Sequence, residues 1–316
     1  MHPPHIFWPA VLLLATPALA ALKVANNLEV LEWTPVAIAQ EDYYNDTVTV
    51  VNGGIPSLAS DSTVDIGANS ETQLLRQYAL HKNLRTILTT VEVYYRIVAS
   101  RKKGIEKLED LKGKRIGAFP STSSEYFVQT LLATVGLSPS DYTIVFGGAC
   151  LKTPCGAGTF PAMLQSGTID AIGMWEPSVQ LGAEAIGDDA IIFEQTTYRE
   201  IYTLATTAEK LADPAKRKEI VAFVAALVKA EDVFRTDPDK VIDKAAAAVK
   251  TNATLFREVW PVHRWTARNP LDIVEVMLEE DKYVARADGR AAMASDVLET
   301  LVDRSLLEDA LKLGEE

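Results

Sequence analysis

Residues 108–126, LEDLKGKRIGAFPSTSSEY, constrain the fold more than any other part of the chain. A polar turn ends at Gly113, a short apolar strand is expected over residues 115–119, and a run of hydroxyl residues opens a helix near Glu125. A strand that passes into a helix through a short turn is the repeating unit of an α/β sheet. The first amides of that helix have no partner inside it, and the macrodipole leaves partial positive charge there, so polar or anionic groups are attracted. Ser121, Thr122, Ser123 and Ser124 therefore read two ways: as ordinary helix caps, or as groups that reach a ligand. Recurrence of similar turns along the chain favours the ligand.

Strands are expected at residues 22–25, 48–51, 64–67, 86–88 and 95–100. The first is followed by a loop over residues 26–32 that carries Asn27, and by a helix beginning near Trp33, Thr34 and Pro35, where proline suits the first turn. The second runs into Asn52, Gly53 and Gly54, and the third into Asn69, Ser70 and Glu71 at the head of another helix. The pattern then restarts. Further strands are expected at 142–146, 169–174 and 190–193, with a helix over 160–165 stopped by Gly167, and the 169–174 strand ends in Trp175, Glu176 and Pro177. This succession predicts parallel βαβ units whose strand ends deliver polar residues to one rim, where open α/β sheets bind ligands. Beyond residue 196 the chain is expected to be mostly helical, with Ile220, Phe223, Val224, Leu227 and Val228, and again Ile273, Val274, Met277 and Leu278, at helical spacing. Trp260, His263 and Trp265 read as packing residues between those helices.

Residues 1–20 carry no Lys, Arg, Asp or Glu and end in Ala18, Leu19, Ala20, which reads as an export signal cleaved after Ala20. The mature chain then carries the whole formal charge of -12 and shows no basic stripe, which argues against nucleic acid and against insertion into a membrane. An exported destination makes a local disulfide the first reading of the two cysteines, Cys150 and Cys155. Closing so short a loop is worth on the order of 2 kcal/mol. Two thiols with no histidine nearby make no zinc site. Asn45 and Asn252 stand in glycosylation sequons, which fits a secreted, extracellular protein, or a periplasmic one in a bacterium.

VDIGAN (64–69), LEDLKGKRIGAF (108–119), SGTIDAIGMWEP (166–177) and VAFVAALVKAEDVF (221–234) occur in an order that resembles the type II periplasmic binding proteins. The branch is the one that holds the sulfonate, taurine and nitrate carriers and the fungal thiamine-pyrimidine synthases. The resemblance implies an α/β protein of two lobes, residues 21–98 with 196–316 and residues 99–195, joined by a two-strand hinge, with a helical C-terminal region and a ligand cleft between the lobes. It implies a small-molecule ligand, no cofactor and, in a bacterium, delivery to a membrane permease. The synthases carry a lysine and a histidine just after VDxG, and a cysteine-rich motif. At the matching positions stand Asn69 and Gln73, and the motif is missing, so neither a Schiff-base amine nor an imidazole donor is supplied.

The expected function is thus a secreted solute-binding protein, with a secreted enzyme on the same scaffold as the alternative, using Glu71, Glu125 and Glu176 as acid and base. No catalytic residue and no metal ligand is assigned. The rim carboxylates, Glu29 and Glu32 among them, disfavour a bare anion. Trp33, Tyr126 and Trp175 are expected to sandwich a flat ring or a cation, Trp33 and Trp175 reading equally as lobe core. The expected binding set is Asn27, Trp33, Gly53, Asn69, Ser70, Glu71, Ser121, Thr122, Ser123, Ser124, Tyr126, Trp175 and Glu176, and the expected ligand is amine-bearing, heteroaromatic or zwitterionic.

Overall fold

Apolar, β-branched runs separated by polar turns build two sheets in the computed structural model, which describes residues 21–315. The expected signal, residues 1–20, lies outside the described residues, as does Glu316. The strands are β1 (Leu22–Asn26), β2 (Val48–Asn52), β3 (Ile66–Ser70), β4 (Leu84–Val93), β5 (Arg96–Ser100) and β6 (Arg115–Gly117). They continue as β7 (Thr143–Val145), β8 (Ala171–Met174), β9 (Ala190–Phe193), β10 (Glu200–Thr207) and β11 (His263–Trp265). The helices of the first part are α1 (Thr34–Ile38), α2 (Ile55–Ser60), α3 (Glu71–Leu80), α4 (Ser123–Ala133), α5 (Phe160–Gln165) and α6 (Ser178–Ile186). Those of the second are α7 (Ala208–Ala212), α8 (Pro214–Thr236), α9 (Ile242–Ala248), α10 (Ala253–Val259), α11 (Ile273–Ala287), α12 (Ser295–Glu299) and α13 (Ser305–Glu315).

One sheet has the order β11-β4-β10-β3-β1-β2 and the other β7-β6-β8-β5-β9. Parallel pairing, expected from the βαβ succession, holds among the named strands where β1 meets β2 and β3 and where β6 meets β7 and β8. The remaining pairs, β10 with β3 and β4, β11 with β4, and β5 with β8 and β9, are antiparallel. The reason is the route of the chain. It leaves the first sheet after β4, enters the second at β5, and returns from β9 into β10, so the strands beside each crossing run against their neighbours. Between β4 and β5 lie only Tyr94 and Tyr95. The Gln195 side chain donates to the carbonyls of Tyr95 (2.9 Å) and Tyr198 (2.8 Å) and accepts from the Tyr198 amide (2.7 Å), which ties the two crossings together.

The tail differs from expectation at its start: β10 precedes the helices, and all of its residues are buried. Ile201, Tyr202 and Thr203 are strong strand formers, but burial on both faces removes the alternation by which a strand is recognised. The helices follow the expected spacing. In α8, Pro214 opens the first turn, Asp213 accepts from the amides of Ala215 and Lys216, and Ile220, Phe223, Val224 and Leu227 are buried. Ile273, Val274 and Met277 of α11 are likewise buried. His263 and Trp265 are buried and pair β11 with β4, while Trp260 stacks on Phe234.

Candidate functional site

The ends of β1, β3, β8 and β10 and the first turns of α3 and α4 meet around a cavity of about 140 Å³. The loop after β1 supplies Asn27, Val30 and Glu32; the end of β3 supplies Asn69 and Ser70 and the first turn of α3 Gln73; the start of α4 and its cap supply Ser123 and Thr122; Trp175 follows β8, and Glu200 and Tyr202 come from β10. Local sequence explains much of this placement. Gly54 has φ +151°, and a Cβ there would lie 2.2 Å from Asn69 Oδ1 and 2.8 Å from the Ala68 carbonyl. Glycine thus lets Asn69 accept from the Ile55 amide (2.9 Å) and cap α2. Ser70 is the N-cap of α3 and Thr122 that of α4, where its hydroxyl accepts from the Ser124 amide (3.2 Å), so two helix N-termini meet the cavity.

Acidic groups dominate the site. Glu32 is 2 % and Glu200 5 % exposed. Glu200 accepts from the Tyr95 hydroxyl at Oε1 (2.7 Å), but neither its Oε2 nor Glu32 Oε2 has a hydrogen-bond partner. Burial pushes Glu32 up to about 7, against the pull of backbone amides at Glu32 and Leu31 and with a further push from Glu176. Burial, Glu32 and Glu71 hold Glu200 well above the ordinary carboxylate range. Glu280 is raised in the same way by burial and by Glu71. Such a pocket can take up hydrogen-bond donors or positive charge, because its own acceptors are unsatisfied.

Of the residues expected to bind, Asn27, Asn69, Ser70, Thr122, Ser123 and Trp175 line the cavity. The others are placed elsewhere. Trp33 is packed in the core beside α1. Gly53 donates its amide to the Asn26 carbonyl (2.9 Å). Ser121 is exposed with φ +59°, and its amide donates to Glu125 (2.6 Å). Ser124 bridges the Phe119 amide (3.1 Å) and the Gly173 carbonyl (2.7 Å). Tyr126 packs against Tyr198 and Tyr283. The aromatic sandwich is therefore not assembled; of the three rings Trp175 alone lines the cavity, stacked on Phe119 with ring centroids 5.2 Å apart. Glu71, Glu125 and Glu176 do not converge either. Glu71 accepts from the Tyr198 hydroxyl (2.8 Å) and the Ile201 amide (2.7 Å), Glu125 from Tyr283 (2.8 Å), and Glu176 from Arg96 Nε (2.8 Å).

Glu32, read from the sequence as a rim carboxylate, lines the cavity too, and so do Val30, Gln73, Glu200 and Tyr202, which the sequence did not point to as binding residues. Gln73 lies in the first turn of α3, and Glu200 and Tyr202 share one face of a strand, so recognising β10 would have found both.

Cys150 and Cys155 form a disulfide. Cys150 packs with Leu181 and Leu255, and Lys152 in the same loop is 3.7 Å from Glu29 of the loop after β1. Asn45 and Asn252 are both exposed, and Asn252 also caps α10 by accepting from the Leu255 amide (2.7 Å). Among the described residues, no group of three or more His, Cys, Asp or Glu could hold a metal ion, and no helix is long and apolar enough to cross a membrane.

The family model described as NMT1/THI5 like matches residues 37–241. No curated protein matches the sequence. Among solved structures, the chain is similar to the alkanesulfonate-binding protein SsuA from Xanthomonas axonopodis pv. citri bound to MOPS, with TM-score 0.68 and 16% identity over 92% of this chain and 99% of that one. It is similar to the Candida albicans CA3427 gene product, of the generic periplasmic binding protein fold, with TM-score 0.57 and 19% identity over 90% and 97%. It is also similar to the desulfurization enzyme DSZB, with TM-score 0.60 and 14% identity over 93% and 99%. At these identities the likeness is one of fold, shared by a binding protein and an enzyme. With a family match over most of its length and the two-sheet architecture around a cleft, the chain belongs to the NMT1/THI5-like family and has the two-lobe type II periplasmic-binding-protein fold.

Proposed function

We propose that this is an exported solute-binding protein that captures a small polar molecule, amine-bearing, heteroaromatic or zwitterionic, in the cleft between its two sheets. The observation that carries this reading is the cavity itself, where the buried side chains of Glu32 and Glu200 meet the first turns of α3 and α4. Asn27, Asn69, Ser70, Thr122, Ser123 and Trp175, joined by Glu32, Gln73, Glu200 and Tyr202, form the binding set. Residues 21–98 with 196–316 and residues 99–195 act as lobes that close by bending at the two chain crossings. The apolar leader, the disulfide and the exposed sequons support export; in a bacterial host the partner would be a membrane permease. Native mass spectrometry of protein recovered from its own host's medium, set against the same sample denatured, tests the reading. A defined excess mass that vanishes on denaturation is expected. No retained mass, together with no thermal stabilisation by any amine, heterocycle or zwitterion, would refute it.

Glu32, held near neutrality, also favours a second reading, an enzyme that uses it as acid or base. A retained molecule that comes away chemically altered, with turnover abolished by Glu32→Gln, would select the enzyme.

A further inference from the structure

Resting on the solute-binding reading, we infer that the cleft selects a small organic ammonium ion, held between the carboxylates of Glu32 and Glu200, and refuses bare anions such as sulfonates. The two side chains come from separate elements, the loop after β1 and strand β10, and both are more than nine-tenths buried. Each has an oxygen without a hydrogen-bond partner, and both line the same cavity. A buried acceptor left open is costly unless an N–H group reaches it.

The surroundings offer no substitute from the protein. Among the described residues, no lysine or arginine lines the cavity. Arg96 is engaged by Glu176 (2.7 Å), and Arg199 by Glu92 and Asp272. Behind Glu200 stands Glu71, with Glu280 next to it, so acidic groups crowd the cavity from more than one side, and a cation entering it would draw them toward their charged form. An anion would enter against these carboxylates, whereas an ammonium ion would satisfy both open oxygens with charge-assisted hydrogen bonds. The cavity is small, about 140 Å³, which suits a compact ligand. The aromatic rings of Trp175 and Tyr202 suit the short apolar stem of such a cation, and the hydroxyls of Ser70, Thr122 and Ser123 suit a polar far end.

Ethanolamine and 2-hydroxyethanesulfonate share a stem and a hydroxyl and differ in the charged end, so they make a matched pair of probes. Calorimetric titration of the mature full chain should show ethanolamine binding at least about tenfold more tightly than 2-hydroxyethanesulfonate, and Glu32→Gln and Glu200→Gln should each weaken ethanolamine about tenfold or more. Neither variant should melt below the wild type, which separates loss of a ligand contact from loss of the fold. Equal or tighter binding of the sulfonate, or no binding of ethanolamine at millimolar concentration, would overturn the inference. Retention of some other solute in the native mass spectrum would then leave solute capture standing, and an empty spectrum with no stabilising solute would remove that reading as well.

Discussion

Glu32 is a carboxyl group placed where its charged form is disfavoured: buried, near Glu176 and Glu200, with one oxygen open. The groups around it are Glu200 with the Tyr95 hydroxyl upon it, Glu176 with its partner Arg96, Glu71 and Glu280 behind Glu200, and Tyr202, whose hydroxyl is itself held well above its ordinary range by burial. The sign of the linkage follows. The unfolded chain loses this proton near 4.5 and the folded one near 7, so between those values the folded state binds more protons and stability falls as pH rises. The contribution is fully present below pH 4.5 and lost by about pH 7, and a shift of that size is worth about 3 kcal/mol. Glu32→Gln, which keeps the shape and cannot ionise, should flatten this part of the profile and make the empty protein more stable than wild type above pH 7. Parallel urea-unfolding profiles for wild type and variant across this range would rule the account out. A group that costs stability while lining a cleft is what a binding role, and not a packing role, would retain.

At the scale of elements, legibility follows solvent contrast. The ends of β1, β2 and β9 and the helices α5, α8 and α11 are readable because each shows an apolar face against a polar one or stops at Gly or Pro. The end of β3 and the turn after β6 are readable for their Asn, Ser and Thr, and both reach the cavity. Strand β10, buried on both faces, is not readable, and with it go Glu200 and Tyr202, because long-range pairing with β3 and β4 places them and leaves no local mark. The aromatic residues mislead for a related reason: Trp33 and Tyr126 fill lobe packing, and composition alone does not separate a ring that packs from one that binds. The cysteine loop is legible and carries its own prediction. Ser178 donates its hydroxyl to the Cys150 carbonyl (2.8 Å) and accepts the Cys150 amide (2.9 Å), so the loop stays anchored without the bridge. Replacing both cysteines by serine should therefore cost less than the ~2 kcal/mol of loop entropy, yet speed ligand release by freeing Lys152 from Glu29. Finding two free thiols in the purified protein, or a variant that does not fold, would contradict this.

Taken whole, the molecule brings its two sheets together on both sides of the cleft. On one side Arg76 of α3 donates to the Ser121 carbonyl (3.0 Å), Tyr283 of α11 donates to Glu125 of α4 (2.8 Å), and Tyr126 packs on Tyr283. On the other, Cys150 and Leu181 pack with Leu255 of α10, and Gln180 of α6 donates to Glu258 (3.3 Å). In the hinge reading these contacts exist only when the lobes are shut, so they set how much of the population is ready to hold a ligand. Removing two hydrogen bonds of ordinary strength from the shut form, by combining Arg76→Ala with Tyr283→Phe, should cost it on the order of 1–3 kcal/mol. Since apparent affinity scales with the fraction of competent protein, ligand binding should weaken about tenfold, and the empty variant should have a larger radius of gyration by small-angle X-ray scattering than the empty wild type. Ligand at saturation should restore compactness, because the binding set itself spans both sheets through Thr122, Ser123 and Trp175 on one and Asn69, Glu32 and Glu200 on the other. An unchanged radius with unchanged affinity would mean that the lobes do not bend at the crossings beside Tyr95 and Gln195, and that the cleft fills by some route other than closure.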